Sequence, residues 1–312
     1  MSEVSRTDLR TAEATVNVCG LLSEKKLELT TDASGKQKVI KGYVVIKTDD
    51  TNFVTLNVWA NELTSKGTEN PSFKNMMTVM NEHQSIADVG EEAATKVMCK
   101  KGSLEPNTYI GKEDLMEHTS IRYKASFITK VNSEDYIPKA DFEVEGFVNA
   151  IMEEVNREGE PTGRLKFKIY VPTYRGVEPL EFFVESEDAD DFSNTFERGT
   201  TVRFYGSIVN KTVVEEKVIK MTVGRDRVER NTTRTFELVA TGGVGPYDDE
   251  RAYDAEVIQK GLVERDLRLQ KEKEEAASKK KSGGQAGANM MGASTGVGRT
   301  LPKFNAGNFA NM

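Results

Sequence analysis

Stretches of alternating apolar and polar residues recur in the same order in two parts of the chain. Residues 16–22 form an apolar-rich pattern that contains Gly20, and residues 142–148 repeat it around Gly146. In each copy, further patterns of the same kind follow, separated by polar turns. Because alternation with a period of two is typical of strands with one buried face, each copy predicts a small β-domain. The sequence therefore indicates two similar domains in tandem.

Each copy predicts five strands, with a short helical connection after the third. In the first copy the predicted strands cover 16–22, 38–48, 53–60, 96–101 and 121–131, with a helix over 70–84 and a long loop around Pro106 and Gly111. In the second copy they cover 142–151, 163–171, 180–185, 201–208 and 218–225, with a helical connection over 188–198. This order is typical of the OB barrel, whose exposed face commonly binds single-stranded nucleic acid. The predicted fold class is mainly β, with two OB-fold-like five-stranded barrels in tandem.

The residues after the second copy predict a helix and a tail. Gly242, Gly243 and Gly245 favour a hinge, and Pro246 is a residue with which helices often begin. Apolar residues between 253 and 262 recur at helical spacing and predict a docking face, whereas 264–281 is nearly all charged. We therefore expect an N-terminal arm (1–14), a first barrel (15–138), a second barrel (139–240), a hinge and helix (241–281) and a flexible Gly-rich tail (282–312).

Alternation also predicts a charged outer face on the second barrel. Arg164, Lys166, Lys168 and Tyr170 alternate with apolar residues, so the three cations and the ring lie on one side of the strand. Cations neutralise phosphates and flat rings stack on bases, which are the two requirements of single-strand binding. Further candidates on the same sheet are Tyr174, Arg175, Phe183, Arg203 and Tyr205. The alternative is a solvated edge strand with basic decoration.

The first barrel carries rings in a similar position. In its third strand, Phe53, Asn57 and Trp59 lie opposite the inward-facing apolar residues. Exposed rings of this kind favour base stacking. Candidate partners on neighbouring strands are Tyr43, Lys47, Lys100 and Lys101. As an alternative, Trp59 packs under the helix predicted over 70–84.

Length and charge bound these interpretations. The chain has 312 residues, enough for two domains, and its formal net charge is -7. This total does not favour a nucleic-acid partner, but acidic segments such as 185–191 can offset a basic groove elsewhere. Cys19 and Cys99 both lie in strand patterns, so we expect buried thiols and no disulfide.

Patterns typical of enzymes fail on inspection. Residues 292–300 are similar to a phosphate-binding loop, but the spacing is wrong and no strand precedes them. His83 and His118 lie on unrelated segments without further ligands at metal-binding spacing. The acidic run over 185–191 is typical of a solvated helix start. We therefore expect no catalytic residue, no metal site and no cofactor.

Taken together, the chain resembles the tandem OB-fold single-stranded DNA-binding proteins, especially those encoded by bacteriophages. The resemblance is carried by Gly20 and Gly146, the hairpin residues 54–59 and the strand residues 203–208, and it covers about 16–229. It implies a non-enzymatic protein that coats and protects unpaired DNA during replication or recombination, largely independently of sequence. No segment has the length and apolarity of a signal peptide or a membrane span, so we expect a cytoplasmic protein, in the host cytoplasm if a phage encodes it.

The end of the chain departs from this family. Bacterial members usually end in an acidic tip that recruits partners, whereas this chain ends in a neutral peptide with Phe304 and Phe309. We expect these two rings to bind a replication or recombination protein or a neighbouring subunit. The main alternative is a phage structural or replisome scaffold protein that uses its barrels and C-terminal helix for protein contacts. A nuclease or ligase fragment would need a nucleophile, a metal set or a nucleotide-binding lysine motif, and none is convincing here.

Overall fold

The computed structural model describes residues 9–32, 35–156, 158–219, 227–248 and 250–288, with side chains except at 212–219, 227–234 and 279–288. Its strands are β1 (Ala14–Thr31), β2 (Lys38–Lys47), β3 (Phe53–Asn61), β4 (Lys96–Ile110), β5 (Glu117–Lys124), β6 (Thr129–Lys130), β7 (Lys139–Val155), β8 (Pro161–Thr173), β9 (Gly176–Val184), β10 (Thr201–Ile219) and β11 (Arg227–Val244). Its α-helices are α1 (Pro71–Glu82), α2 (Ile86–Val89), α3 (Ala189–Thr195) and α4 (Ala255–Ala288).

The first barrel is closed by β1 to β5. β1, β2 and β3 form an antiparallel meander, β3 runs parallel to β5, and β4 pairs antiparallel with both β5 and β1. The predicted helix is α1, which the Asn70 side chain caps by accepting a hydrogen bond from the Ser72 N–H at 3.0 Å. Met76 and Val79 on this helix are fully buried in the barrel core.

The second barrel repeats this topology with β7 to β11, so the prediction of tandem OB-fold-like barrels is confirmed. β9 runs parallel to β11, and β10 pairs antiparallel with β7 to close the barrel. Its core is a cluster of phenyl rings that includes Phe142, Phe167, Phe182 and Phe204, each at most 1% exposed. The ring centroids of Phe182 and Phe204 lie 4.6 Å apart, a contact distance typical of tightly packed aromatic pairs.

The two barrels share one sheet. β1 pairs antiparallel with β7, from Ala14 opposite Val144 to Cys19 opposite Lys139. The β2–β3 turn also touches β10, because the Asn52 side chain donates to the carbonyl of Ile208 at 3.0 Å. No local pattern in the sequence predicts this direct pairing between the two domains.

Two predicted loops are strands. The long loop expected around Pro106 belongs to β4 and β5, which pair from Ser103 opposite Lys124 to Ile110 opposite Glu117. Pro106 lies where β4 pairs with β5 alone, so its missing N–H interrupts no second ladder. The hinge predicted at 242–245 was also wrong, because β11 continues to Val244. A Cβ at Gly242 would lie 2.4 Å from the end of the Tyr205 ring, so a side chain there would require that partly exposed ring to move.

The fifth strand and the helix of the second half lie elsewhere than predicted. Of the strand expected over 218–225, residues 218 and 219 belong to β10 and residues 220–225 lie outside the described residues, while β11 begins at Arg227. The helix begins at Ala255 rather than near Pro246, and the Asp254 carboxylate caps it by accepting from the Glu256 N–H at 2.7 Å. It continues to Ala288, into the segment expected to be tail. The five-segment division of the chain stays a prediction.

Helix α4 contacts both barrels. Arg268 donates to the buried Glu178 of β9 at 2.6 Å, and Arg265 pairs with Glu117 of β5. Tyr253 and Ile258, near its start, are buried in a second small apolar cluster with Val177. The helix therefore fixes the barrels to each other from one side.

The thiols of Cys19 and Cys99 are free and buried. Burial raises the pKa of Cys99 to about 11, so this thiol is protonated and unreactive near neutral pH. Over the described residues, no helix is long and apolar enough to cross a membrane. The same residues contain no group of three or more His, Cys, Asp or Glu side chains that could hold a metal ion.

Candidate nucleic-acid interface

The outer face of β2 and β3 brings together the rings predicted in the first barrel. Across this hairpin, Lys41 lies opposite Trp59, Tyr43 opposite Asn57, and Lys47 opposite Phe53. Trp59 is 65% exposed, so the alternative that it packs under the helix is wrong. Its Nε1 donates to the Asn61 side chain at 3.2 Å, and the face of the indole is left open to a ligand.

These residues line a groove that we call the barrel-one groove. The groove has a volume of about 480 Å³. In addition to Tyr43, Asn57 and Trp59, five charged residues line it: Lys26, Glu28, Lys41, Arg122 and Lys124. The groove crosses four strands, because Lys26 pairs with Tyr43 and Asn57 pairs with Lys124. The Lys26 ammonium lies 5.8 Å from the centroid of the Tyr43 ring.

The groove has an excess of positive charge. Lys26 contacts Glu24 at 3.3 Å, and Lys124 contacts Glu105 at 2.5 Å. Lys41 and Arg122 are both exposed, and neither has a carboxylate within 4.0 Å in the part of the chain that the structure describes. Unpaired cations beside open rings form a surface suited to a phosphate backbone with splayed bases.

Sequence reasoning missed the cations of this groove. Lys41 shares the alternation of Tyr43, so the strand pattern alone was sufficient to find it. Arg122 and Lys124 reach the groove only because β5 closes the barrel against β3, which no local pattern shows.

Two other predicted groups of cations lie outside the groove. Lys47 is only 13% exposed at its side chain and pairs with Glu91 at 2.7 Å and Asp50 at 3.2 Å. Lys100 and Lys101 are exposed on β4, at a bend where Lys101 has φ of 52°. Because β4 pairs with β1 and β5, this bend is separate from the β2–β3 hairpin.

The second barrel presents its predicted cations on the outer face of β8, but acidic side chains neutralise them. Glu181 on β9 accepts from Lys166 at 2.5 Å and from Lys168 at 2.8 Å. Burial alone would raise the pKa of Glu181, but the two lysine hydrogen bonds outweigh it and hold the pKa below its ordinary value. Glu181 is therefore ionised at neutral pH.

Arg164 is enclosed by three carboxylates. Its guanidinium lies 2.9 Å from Glu237, 3.2 Å from Glu185 and 3.3 Å from Glu154. It also covers the ring of Phe183, with 4.7 Å between the guanidinium carbon and the ring centroid. Burial would lower the pKa of Arg164, but the hydrogen bond that it donates to Glu237 and the neighbouring negative charges raise it. The charge of Arg164 is therefore paired with carboxylates, and the Phe183 ring is covered by Arg164.

Comparison with known proteins identifies the family. A family model described as YorF matches residues 13–275. The chain belongs to the YorF family. None of the curated proteins matches it.

Solved structures that resemble this YorF-family chain include single-stranded DNA-binding proteins. A deletion variant of the single-stranded DNA-binding protein from Thermus aquaticus is 14% identical, covering 79% of this chain and 98% of its own, with a TM-score of 0.42. The wild-type Thermus aquaticus protein is 12% identical, covering 77% and 95%, with a TM-score of 0.40. A replication protein A heterotrimer bound to single-stranded DNA is 10% identical, covering 76% and 51%, with a TM-score of 0.19. The assignment of the fold rests on strand order and register.

The remaining predicted residues of this YorF-family chain are scattered over the second barrel. Tyr170 is half-buried against the apolar cluster under α4. Tyr174 is 66% exposed in the β8–β9 turn, where Arg175 lies 5.2 Å from its ring centroid. Arg203 pairs with Glu143 at 3.0 Å and with Glu13, and Tyr205 is 46% exposed on the same strand. Phe304 and Phe309 lie outside the described residues.

Proposed function

We propose that this chain binds single-stranded DNA through the barrel-one groove, as a non-enzymatic protein that coats unpaired DNA in the cytoplasm during replication or recombination. The observation that carries the proposal is the exposed Trp59 ring beside Lys41, which has no carboxylate within 4.0 Å among the described residues. A base stacked on such a ring contributes about 1–3 kcal/mol, and each neutralised phosphate releases counterions. Ring stacking and phosphate neutralisation do not depend on the identity of the base, which supports binding that is largely independent of sequence.

The second barrel supports binding less strongly in this proposal. A phosphate that approaches Lys166 or Lys168 must compete with Glu181, which already accepts from both. The carboxylates around Arg164 also repel a phosphate, which offsets part of the attraction of the phosphate to Arg164. We therefore assign most of the affinity and most of the salt dependence to the first barrel.

Titration with oligo-dT tests the proposal, with the lone tryptophan as the reporter. We expect base stacking on Trp59 to quench its fluorescence, and the apparent affinity to fall as salt rises. Duplex DNA of equal length is the control and should leave Trp59 unquenched. Absence of both quenching and binding at low salt would contradict the proposal and favour the protein scaffold.

A further inference from the structure

We propose that a cleft between the two barrels holds an unpaired base of the same DNA strand. The inter-barrel cleft has walls from β5 of the first barrel, from β7, β8, β9 and Phe236 of the second, and from α4, and its volume is about 990 Å³. This inference rests on the proposed function and extends it, because it assigns a second contact that neither OB face provides alone.

The cleft contains an open ring. Phe236 lies on β11 and is 46% exposed, although it sits in a recess rather than on a convex surface. One neighbour is Tyr123 of the first barrel, with 6.2 Å between the ring centroids. Tyr170 contributes a second ring to the lining. A phenyl group kept partly open between two domains is suited to stack on a flat, apolar ligand face.

Polar groups beside these rings match the edges of a base. The side chains of Thr119, Asn149 and Gln259 line the cleft, and within the described part of the chain they have no hydrogen-bond partner. Amide groups donate and accept at the same time, as the edges of nucleobases require. The lining therefore combines stacking with unused hydrogen-bonding capacity.

The charge of the lining favours a base rather than a phosphate. Lys168 is paired with Glu181 at 2.8 Å, and Arg265 is paired with Asp266 at 3.0 Å and with Glu117. Both cations of the lining are thus neutralised, and a phosphate entering the cleft would meet carboxylates. An uncharged base enters such a site without this repulsion, while its phosphate stays outside.

The cleft adjoins the barrel-one groove through β5. Thr119, Ser120 and Ile121 of this strand line the cleft, and Arg122 and Lys124, next along the strand, line the groove. A polynucleotide in the groove can therefore cross β5 and place a base in the cleft without a gap. The two sites then form one continuous track across both barrels.

The test compares Phe236→Ala with wild type, using anisotropy of labelled oligo-dT. The matched control is Phe127→Ala, since Phe127 is 45% exposed and does not line the cleft. On an oligomer of about 20 nucleotides, longer than one OB site of about 4–16, we expect Phe236→Ala to bind about 5- to 100-fold more weakly. The slope of log affinity against log salt should not change, because a base and not a phosphate is lost.

Two further measurements make the result decisive. On an oligomer of the same length with abasic sites throughout, wild type and Phe236→Ala should bind equally. Asn149→Ala, which removes a half-buried polar group, should give a smaller loss in the same direction, and thermal melting should show all variants folded. Equal binding of wild type and Phe236→Ala to long oligo-dT would overturn the inference while leaving the proposed function intact. Failure of wild type to bind any oligo-dT would instead overturn the proposed function.

Discussion

The two barrels have the same frame and opposite chemistry on their outer faces. Gly20 and Gly146 lie at equivalent places in the two barrels. A Cβ at Gly20 would lie 2.1 Å from the carbonyl oxygen of Lys47, and a Cβ at Gly146 would lie 3.1 Å from the carbonyl oxygen of Tyr170. Lys47 and Tyr170 therefore occupy matching positions. Strand register extends the match across both sheets.

The matched positions show how the faces differ. Lys47 pairs with Phe53 in the first barrel, and Tyr170 pairs with Pro179 in the second. Trp59 comes six residues after Phe53 and Glu185 comes six residues after Pro179, so these two residues occupy equivalent positions. The same counting along β2 and β8 matches Lys41 with Arg164. Register with the last strands places Glu237 where the first barrel has Arg122. At these positions the first barrel thus presents two cations and a ring, and the second presents an ion-paired cluster.

This comparison separates what sets the fold from what sets binding. Inward-facing residues are apolar in both copies, mainly aliphatic in the first and richer in phenyl rings in the second, and with the two glycines they set the topology. The outward-facing residues are free to vary, because their replacement leaves the core intact. The presence of an OB barrel therefore does not by itself provide a DNA-binding face. Four experiments sharpen or break the contrast.

The largest effect is expected inside the second barrel. Phe204→Ala removes a fully buried ring and should lower the free energy of unfolding by about 3–5 kcal/mol, measured by urea denaturation followed by circular dichroism. Phe183→Ala is the matched control, because that ring lies on the outer face under Arg164. If both variants lost the same free energy of unfolding, the Phe183 ring would contribute to the hydrophobic core as much as Phe204 does.

Next in size is the loss of the exposed indole. Trp59→Ala should weaken oligo-dT binding by about 1–3 kcal/mol, measured by anisotropy of a labelled oligomer. Thermal stability should change little, because the side chain is 65% exposed. Met116→Ala is a control of similar exposure at 63%. A folded Trp59→Ala protein with wild-type affinity would remove this ring from the binding face.

The third effect concerns the salt dependence. Removing the unpaired cations with Lys41→Ala and Arg122→Ala should reduce the slope of log affinity against log salt by about 1.4, or about 0.7 for each lost phosphate contact. Lys166→Ala with Lys168→Ala removes the same number of charges from the second barrel and should change the slope less, since both lysines already pair with Glu181. A reversed order would assign the phosphate contacts to the second barrel.

The smallest effect is a gain. Glu181→Gln leaves Lys166 and Lys168 without their carboxylate, so oligo-dT affinity should rise slightly and the salt slope should steepen. Because the pKa of Glu181 is lowered in the folded state, its stabilising contribution is present at neutral pH. That contribution is lost as the pH falls through the lowered pKa. Glu181→Gln should therefore show a weaker loss of stability in acid, measured by thermal melting across pH, and an identical pH profile would contradict this role.

Local patterns were sufficient for the barrels and for the exposed rings. Alternation with a period of two placed Trp59 and Phe53 opposite the core residues of β3, and the structure places them there. The same rule placed Arg164 on the outer face of β8. It could not show that Arg164 is neutralised, because Glu237 is brought to it only by closure of the barrel.

Features that depend on distant segments were not predictable. The inter-barrel cleft needs β5, β8 and α4 together, and these segments are far apart in the sequence. Glycines were misread for a related reason. Gly242 suggested a hinge because glycine favours bends, but here it lies within β11, next to the Tyr205 ring.

The backbone pairing between β1 and β7 fixes the distance between the two barrels. Domains on a loose tether adapt their separation to the ligand and lose freedom when both engage. Here the spacing of the barrels is already fixed in the free protein, so it does not adapt to the length of a ligand. Under the proposed function, each molecule would therefore cover a constant number of nucleotides.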